Sequence, residues 1–267
     1  VTTTLEVPGR AGEFVRELGG RARLHDLYDD TGSGVYDDLC AADTSELREI
    51  LHLVRRTKGP VLELAAGSGR LTFPLLATGR EVTALELSPG MLRLLTDRLA
   101  EAPARLRERC LPVRADMSRF ALGRRFGAIV LGTTSVSLLD EHGRAGLYRA
   151  VGEHLLPGGS FLVSVIDPAP GEVADPETEF AVTGATGRRY RMVEHWPPAA
   201  ATRTVTVLPA DPPAEGPVDV CVSTVRVVSA DLLAAELTGA GLVVRARHAL
   251  PGGGPRHREV LLEVGTA

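Results

Sequence analysis

Val61-Leu62-Glu63-Leu64-Ala65-Ala66-Gly67-Ser68-Gly69-Arg70-Leu71-Thr72 carries most of what this chain says about its fold. Four residues suited to a buried strand run into a glycine-rich turn, and the turn opens into a helical pattern from Gly69 to Ala77. Glycines there permit a tight reversal with close approach to the backbone, and free N–H groups at the helix start face the strand's carboxyl edge. Any nucleotide-binding α/β fold can begin this way. Two further residues narrow the choice. A dinucleotide fingerprint, G-x-G-x-x-G, would set a third glycine where the chain has Thr72. Glu63, inside the strand, would repel a pyrophosphate but suits the ammonium end of an amino acid. Glu86 closes the next strand pattern, where a carboxylate can accept from both hydroxyls of a ribose.

Outward from the turn, strand and helix patterns alternate. Strands are expected at 61–64, 81–86, 110–115, 126–131 and 160–166, with helices at 46–56, 89–99 and 143–155. Ser45, with Glu49 behind it, reads as the cap of the first of these helices. Strands that are apolar on both faces and alternate with helices indicate a parallel sheet covered on both sides. The pattern changes at Asp167. Residues 171–179 read as a solvated loop, and 189–196, 202–208 and 218–228 alternate without helical period, as in an antiparallel β insertion. Ser229 then caps a helix at 230–238, and 242–248 and 259–264 form a hairpin about Pro251-Gly-Gly-Gly-Pro255. Before the first strand, 11–18 and 22–28 read as short helical runs of a cap. The expected division is a cap at 1–40, a core at 41–166, an insertion at 167–228 and a closing helix and hairpin at 229–267.

These motifs carry a family resemblance. Leu62-Glu-Leu-Ala-Ala-Gly-Ser-Gly69 resembles the first motif of class I S-adenosylmethionine-dependent methyltransferases, and Thr83-Ala-Leu-Glu-Leu-Ser-Pro-Gly-Met-Leu92 the second. Arg114-Ala-Asp-Met-Ser-Arg-Phe120 is similar to the third, and Leu156-Pro-Gly-Gly-Ser-Phe161 to the turn into the fifth strand. The resemblance implies a Rossmann-like fold with a mostly parallel seven-stranded sheet, a C-terminal antiparallel hairpin and a β insertion. It also implies S-adenosyl-L-methionine as cofactor and S-adenosyl-L-homocysteine as product. Ala65, Gly67 and Gly69 would pass the methionine moiety with Glu63 nearby, and Glu86 would hold the ribose. Leu87 and Met91 would flank the adenine, although Met91 equally fits helix core. Asp116 would accept from the adenine amine beside Met117, and Thr133 would face the methyl group. Ala65 departs from the family, which usually has a glycine there.

Composition excludes several alternatives. The 267 residues are 44% apolar with a net charge of −4, and of the 30 basic residues all but Lys58 are arginine, a bias of GC-rich coding. An acidic balance disfavours a nucleic-acid partner. The stretch Leu131-Gly-Thr-Thr-Ser-Val-Ser-Leu-Leu139 lacks the (N/D)PP(Y/F) motif of enzymes that methylate base amino groups. No stretch reads as a membrane span or leader, so a cytoplasmic location is expected. Three scattered cysteines and seven histidines without paired spacing give no expectation of a metal.

The layout further resembles small-molecule N-methyltransferases of natural-product pathways, including amino-sugar N,N-dimethyltransferases and those of daptide-type ribosomal peptide clusters. The implied partner is a small molecule or peptide with a free amine, with O-methylation the alternative. A dinucleotide oxidoreductase and a non-catalytic scaffold are readings from other classes. An amine must lose a proton before attack, and His195, Tyr190, His142 and Glu194 are the candidate bases. Tyr28 and Tyr36 in the cap would close over cofactor and reacting nitrogen. Open strands of the insertion are where a homodimer would form.

Overall fold

A computed structural model of the chain describes residues 5–41, 43–168, 175–254 and 256–266. The chain opens with α1 (Gly9–Leu18), β1 (Ala22–Asp26) and α2 (Gly32–Cys40). There follow α3 (Leu47–Arg56), β2 (Val61–Leu64), α4 (Thr72–Ala77), β3 (Val82–Glu86) and α5 (Pro89–Glu101). Next come α6 (Ala104–Arg107), β4 (Cys110–Arg114), β5 (Phe126–Leu131), α7 (Glu141–His154) and β6 (Leu155–Pro168). Four strands succeed them, β7 (Glu177–Thr183), β8 (Arg189–His195), β9 (Thr202–Pro209) and β10 (Val218–Arg226). The chain closes with α8 (Ala230–Gly239), β11 (Leu242–Gly254) and β12 (His257–Thr266). Two compact units result, one from residues 1–43 and 171–227, the other from 44–170 and 228–267.

The second unit is a seven-stranded sheet in the order β11-β12-β6-β5-β2-β3-β4. Strands β6, β5, β2, β3 and β4 run parallel, and the β11–β12 hairpin adds antiparallel to β6. Every residue of β2, β3 and β5 is buried. Leu62, Leu64, Ile129 and Leu131 face one way, against Leu147 and Val151 of α7 and Leu233 and Leu237 of α8. Val61, Ala128 and Val130 face the other way, against Ile50 and Val54 of α3, Leu75 of α4 and Leu95 of α5. Fully burying each of these valine, leucine and isoleucine side chains contributes roughly 1.5–3 kcal/mol. This is the fold that the alternating pattern and the motif resemblance imply. The hairpin ladder continues to Gly254–His257, further than 248 and 259, while Pro255 of the expected turn lies outside the described residues.

The first unit is a five-stranded sheet, β1-β10-β9-β8-β7, antiparallel apart from the β1–β10 pair. One face packs Val193, Leu208, Val220 and Val222 against Ala11 and Phe14 of α1. The other packs Leu27, Tyr190, Val207 and Cys221 against Val35 and Leu39 of α2.

Three expectations are corrected here. The run at 22–28 is a strand over Ala22–Asp26, because β10 offers it a parallel edge. Glu177 and Glu179 of the expected loop belong to β7, paired with His195 and Val193, while 171–174 lie outside the described residues. Helix α3 starts one residue after Ser45 would place it: Glu46 is the capping position, and its side chain makes no capping bond. Ser88, Asp140 and Ser229 do cap their helices through their side chains. No helix among the described residues is long and apolar enough to cross a membrane.

Candidate active site

The glycine turn leaves β2 at the centre of the sheet, between β5 and β3, so Glu63 is drawn into the interior at 2% exposure. Thr72 Oγ1 donates to its Oε2 at 2.5 Å. Burial pushes the Glu63 carboxyl up to about 8, reinforced by the charges of Glu86 and Glu46 and opposed by Thr72 and Arg70. Thr72, notable in the sequence only for not being glycine, thus serves the acid. Ala65, Gly67 and Gly69 all take positive φ, at 50°, 57° and 99°. A Cβ on Gly69 would stand 2.7 Å from Leu95 Cδ1, whereas one on Gly67 would meet nothing within 4 Å. Gly69 is required by its backbone conformation, with Leu95 close by, and Gly67 leaves open space beside the backbone.

Glu86, at the end of β3, ties the turn to the next helix. Its Oε2 accepts from Gly67 N at 2.8 Å, its Oε1 from Ser88 N at 2.7 Å, and Ser88 Oγ then accepts from Met91 N at 3.3 Å. Leu87 is exposed while Met91 is buried. Asp116 Oδ1 is engaged locally, accepting from Ser118 N at 2.8 Å and Ser118 Oγ at 2.7 Å, with Arg119 Nε 3.6 Å from Oδ2. Met117 beside it is buried.

At the end of β5, Thr133 and Thr134 both hold φ of 54°, a conformation β-branched residues rarely enter. Glu46 lies beneath them at 3% exposure, its two oxygens accepting from Thr133 N at 2.8 and 2.9 Å. Arg70 pairs with Glu46 and donates to Thr133 Oγ1 at 2.5 Å. Sequence reasoning missed Glu46 and Arg70. Their only signal was a complementary pair of charges, one heading an amphipathic helix and one following the Gly-x-Gly turn.

Among the base candidates, His142 stands exposed in the first turn of α7 of this same unit. The others belong to the first unit. Tyr190 is buried and donates its hydroxyl to Asp38 Oδ2 at 2.8 Å; burial and that carboxylate raise its pKa. Its hydroxyl proton is directed at Asp38. Asp38 also accepts from Thr186 N and Oγ1; burial would raise it, but these donors hold it below its ordinary value. Glu194 is buried and ion-paired with Arg203. His195 places Nδ1 3.1 Å from Glu177 Oε1, which also accepts from Arg10 N, and its Nε2 has no partner among the described residues. The rings of Tyr28 and Tyr36 lie 5.4 Å apart at 56°. Burial pushes the Tyr28 hydroxyl, hydrogen-bonded to Ser223, up to about 12.

Comparison with known proteins bears on the unit that holds the glycine turn and on the chain as a whole. Residues 61–159 match the family described as "Methyltransferase domain". The structure of the glycopeptide N-methyltransferase MtfA complexed with S-adenosyl-L-homocysteine is 39% identical, covering 98% of this chain and 99% of that one, with a TM-score of 0.70. This chain belongs to the class I S-adenosylmethionine-dependent methyltransferases. The CcbJ methyltransferase of Streptomyces caelestis shares the fold at 25% identity over 91% of this methyltransferase and 99% of its own chain, with a TM-score of 0.76. A local likeness, 36% identity over 56 residues, links it to an rRNA adenine N-6-methyltransferase of Corynebacterium diphtheriae. That match spans only 21% of this methyltransferase and 22% of that protein.

The cofactor of this methyltransferase is S-adenosyl-L-methionine. The residues present fit it. Gly67 leaves space for a ligand against the backbone. Glu86 has lone pairs beyond the two given to Gly67 and Ser88, and an ionised carboxylate offers about four acceptor sites.

Proposed function

We propose that this methyltransferase modifies an amine of a natural product, and that the acceptor is a peptide amine of the kind found at the C-terminus of daptide-type ribosomal peptides. The near full-length likeness to a glycopeptide N-methyltransferase carries the amine reading. Bound cofactor supplies an electrophilic sulfonium methyl group. The protein's own residues then have to orient the cofactor, align the nitrogen lone pair and exclude water, and positioning of this kind contributes several kcal/mol. We assign Glu63, Ala65, Gly67 and Gly69 to the methionine end, Glu86 to the ribose, and Leu87, Met91, Asp116 and Met117 to the adenine. Thr133 stands at the methyl end.

Acceptor selection is assigned to the unit of residues 1–43 and 171–227, since every cofactor motif lies in the other unit. Within it, His195 Nε2 is available for a proton, and Tyr28 and Tyr36 are the aromatic pair to test by substitution. A homodimer through edge strand β7, where Phe180 is 40% exposed, belongs to the same reading and is tested by light scattering of the purified chain. The deciding experiment is mass spectrometry of a panel of amines and alcohols, including an aminated peptide C-terminus, incubated with labelled cofactor. Methyl transfer to nitrogen is expected; transfer to oxygen alone overturns the reading.

A further inference from the structure

Two successive β-branched residues in the left-handed region are strained, so something must hold Thr133 and Thr134 there. The hydrogen bonds show what does. The Gly132–Thr133 peptide is held by Glu46, both of whose oxygens lie within 2.9 Å of Thr133 N. The next peptide is held by Ser164 Oγ, which accepts from Thr134 N at 3.0 Å. A Cβ at position 132 would stand 2.7 Å from Glu46 Oε1, so Gly132 is what lets the carboxylate come so near. The 3% exposure of Glu46 would make its charge costly without Arg70, which pairs with it and reaches Thr133 Oγ1 as well. Helix α3 therefore sends one carboxylate across to the carboxyl edge of β5, and the residue after Gly69 neutralises it.

We propose that Glu46 is a positioning residue for methyl transfer: with Arg70 as its counter-charge it latches the Gly132–Thr133–Thr134 turn, and so fixes the wall of the site at the methyl end. This rests on the reading of Thr133 given above. Glu46 has no part in the cofactor assignments, so its loss should separate turnover from cofactor affinity. Displacing a site wall by about 1 Å can cost a hundredfold in rate.

The test is Glu46→Gln in the full chain. A glutamine keeps one acceptor but sets an NH2 against either Thr133 N–H or Arg70. Should that variant not fold, Glu46→Asp keeps the charge for Arg70 and withdraws the carboxylate by one methylene. The expected result is a kcat lower by about tenfold to a hundredfold, with the Kd for S-adenosylhomocysteine within about threefold of the parent and a Thr133 amide that loses its protection from hydrogen exchange. A folded variant with parental kcat overturns the proposal, as does a fall in kcat matched by an equal weakening of S-adenosylhomocysteine binding. The amide and affinity measurements need no acceptor. If no amine is methylated, the amine reading fails by itself, and a Thr133 amide that stays protected in the variant overturns the latch independently.

Discussion

Glu63 is the residue whose chemistry has the most measurable consequences. Its carboxyl sits at about 8 in the folded chain against an ordinary 4.5, so folding favours the neutral form. That contribution to stability is complete below the ordinary value and is lost as pH rises through about 8. The melting temperature of the cofactor-free chain should therefore fall between about pH 5 and about pH 9 more steeply than that of Glu63→Gln, as differential scanning fluorimetry would show. If the cofactor's ammonium lies against Glu63, binding returns it to the carboxylate and releases a proton. Affinity for S-adenosylhomocysteine should then tighten as pH rises toward 8, and calorimetry in buffers of different ionisation heat should count the proton. Ala65 gives a second prediction. Its φ of 50° is the conformation a glycine would adopt without strain, so Ala65→Gly should stabilise the chain by about 1 kcal/mol, roughly 2–4 °C. At this scale the sequence was legible where neighbours in the chain are neighbours in space: Glu63, Gly67, Gly69 and Glu86 all lie on one strand–turn–helix–strand unit. Glu46 was not, because its meaning depends on Thr133, a partner that only the completed sheet brings within reach.

Among elements, hydrophobic period succeeded wherever an element is buried, and failed at the two edges of the five-stranded sheet. The strands β2, β3 and β5 are apolar because both faces are covered, and their pattern has no competing reading. Strands β1 and β7 are the two edges of their sheet, half exposed and rich in charge, so local pattern could not tell Ala22–Asp26 from a helix or Glu177–Thr183 from a loop. Contacts between α7 and α8 are equally silent in the sequence. Arg144 Nε and Nη2 donate to the two oxygens of Glu236 at 2.8 and 2.6 Å, and the Tyr148 hydroxyl donates to the same carboxylate at 2.6 Å. Arg144's donors, ahead of Tyr148's, hold Glu236 below its ordinary value, although partial burial works the other way. Replacing Glu236 with alanine strands a buried guanidinium and should cost about 3 kcal/mol, read as a lower urea midpoint at unchanged m-value.

Across the whole molecule, the chain leaves the seven-stranded unit and re-enters it at one place. Asp167 Oδ1, at the end of β6, accepts from Ala230 N at the start of α8 at 3.0 Å. A short linker could therefore bridge these ends. A chain lacking residues 1–43, with 171–227 replaced by such a linker, should still bind S-adenosylhomocysteine, within about tenfold of the parent by calorimetry, and should methylate no acceptor. The parallel alternation made this core legible from the sequence, whereas the union of an N-terminal strand with a later insertion depends on a pairing that no local signal announces. That pairing also sets an order of events during synthesis. Ala22–Asp26 emerges from the ribosome early, yet its parallel partner β10 begins only at Val218. At roughly 5–20 residues per second the first strand waits about ten to forty seconds for its neighbour. Through that interval Leu27 and the apolar face of α1 have no sheet to cover them, so this early segment is open to a chaperone while the rest of its sheet is still being made.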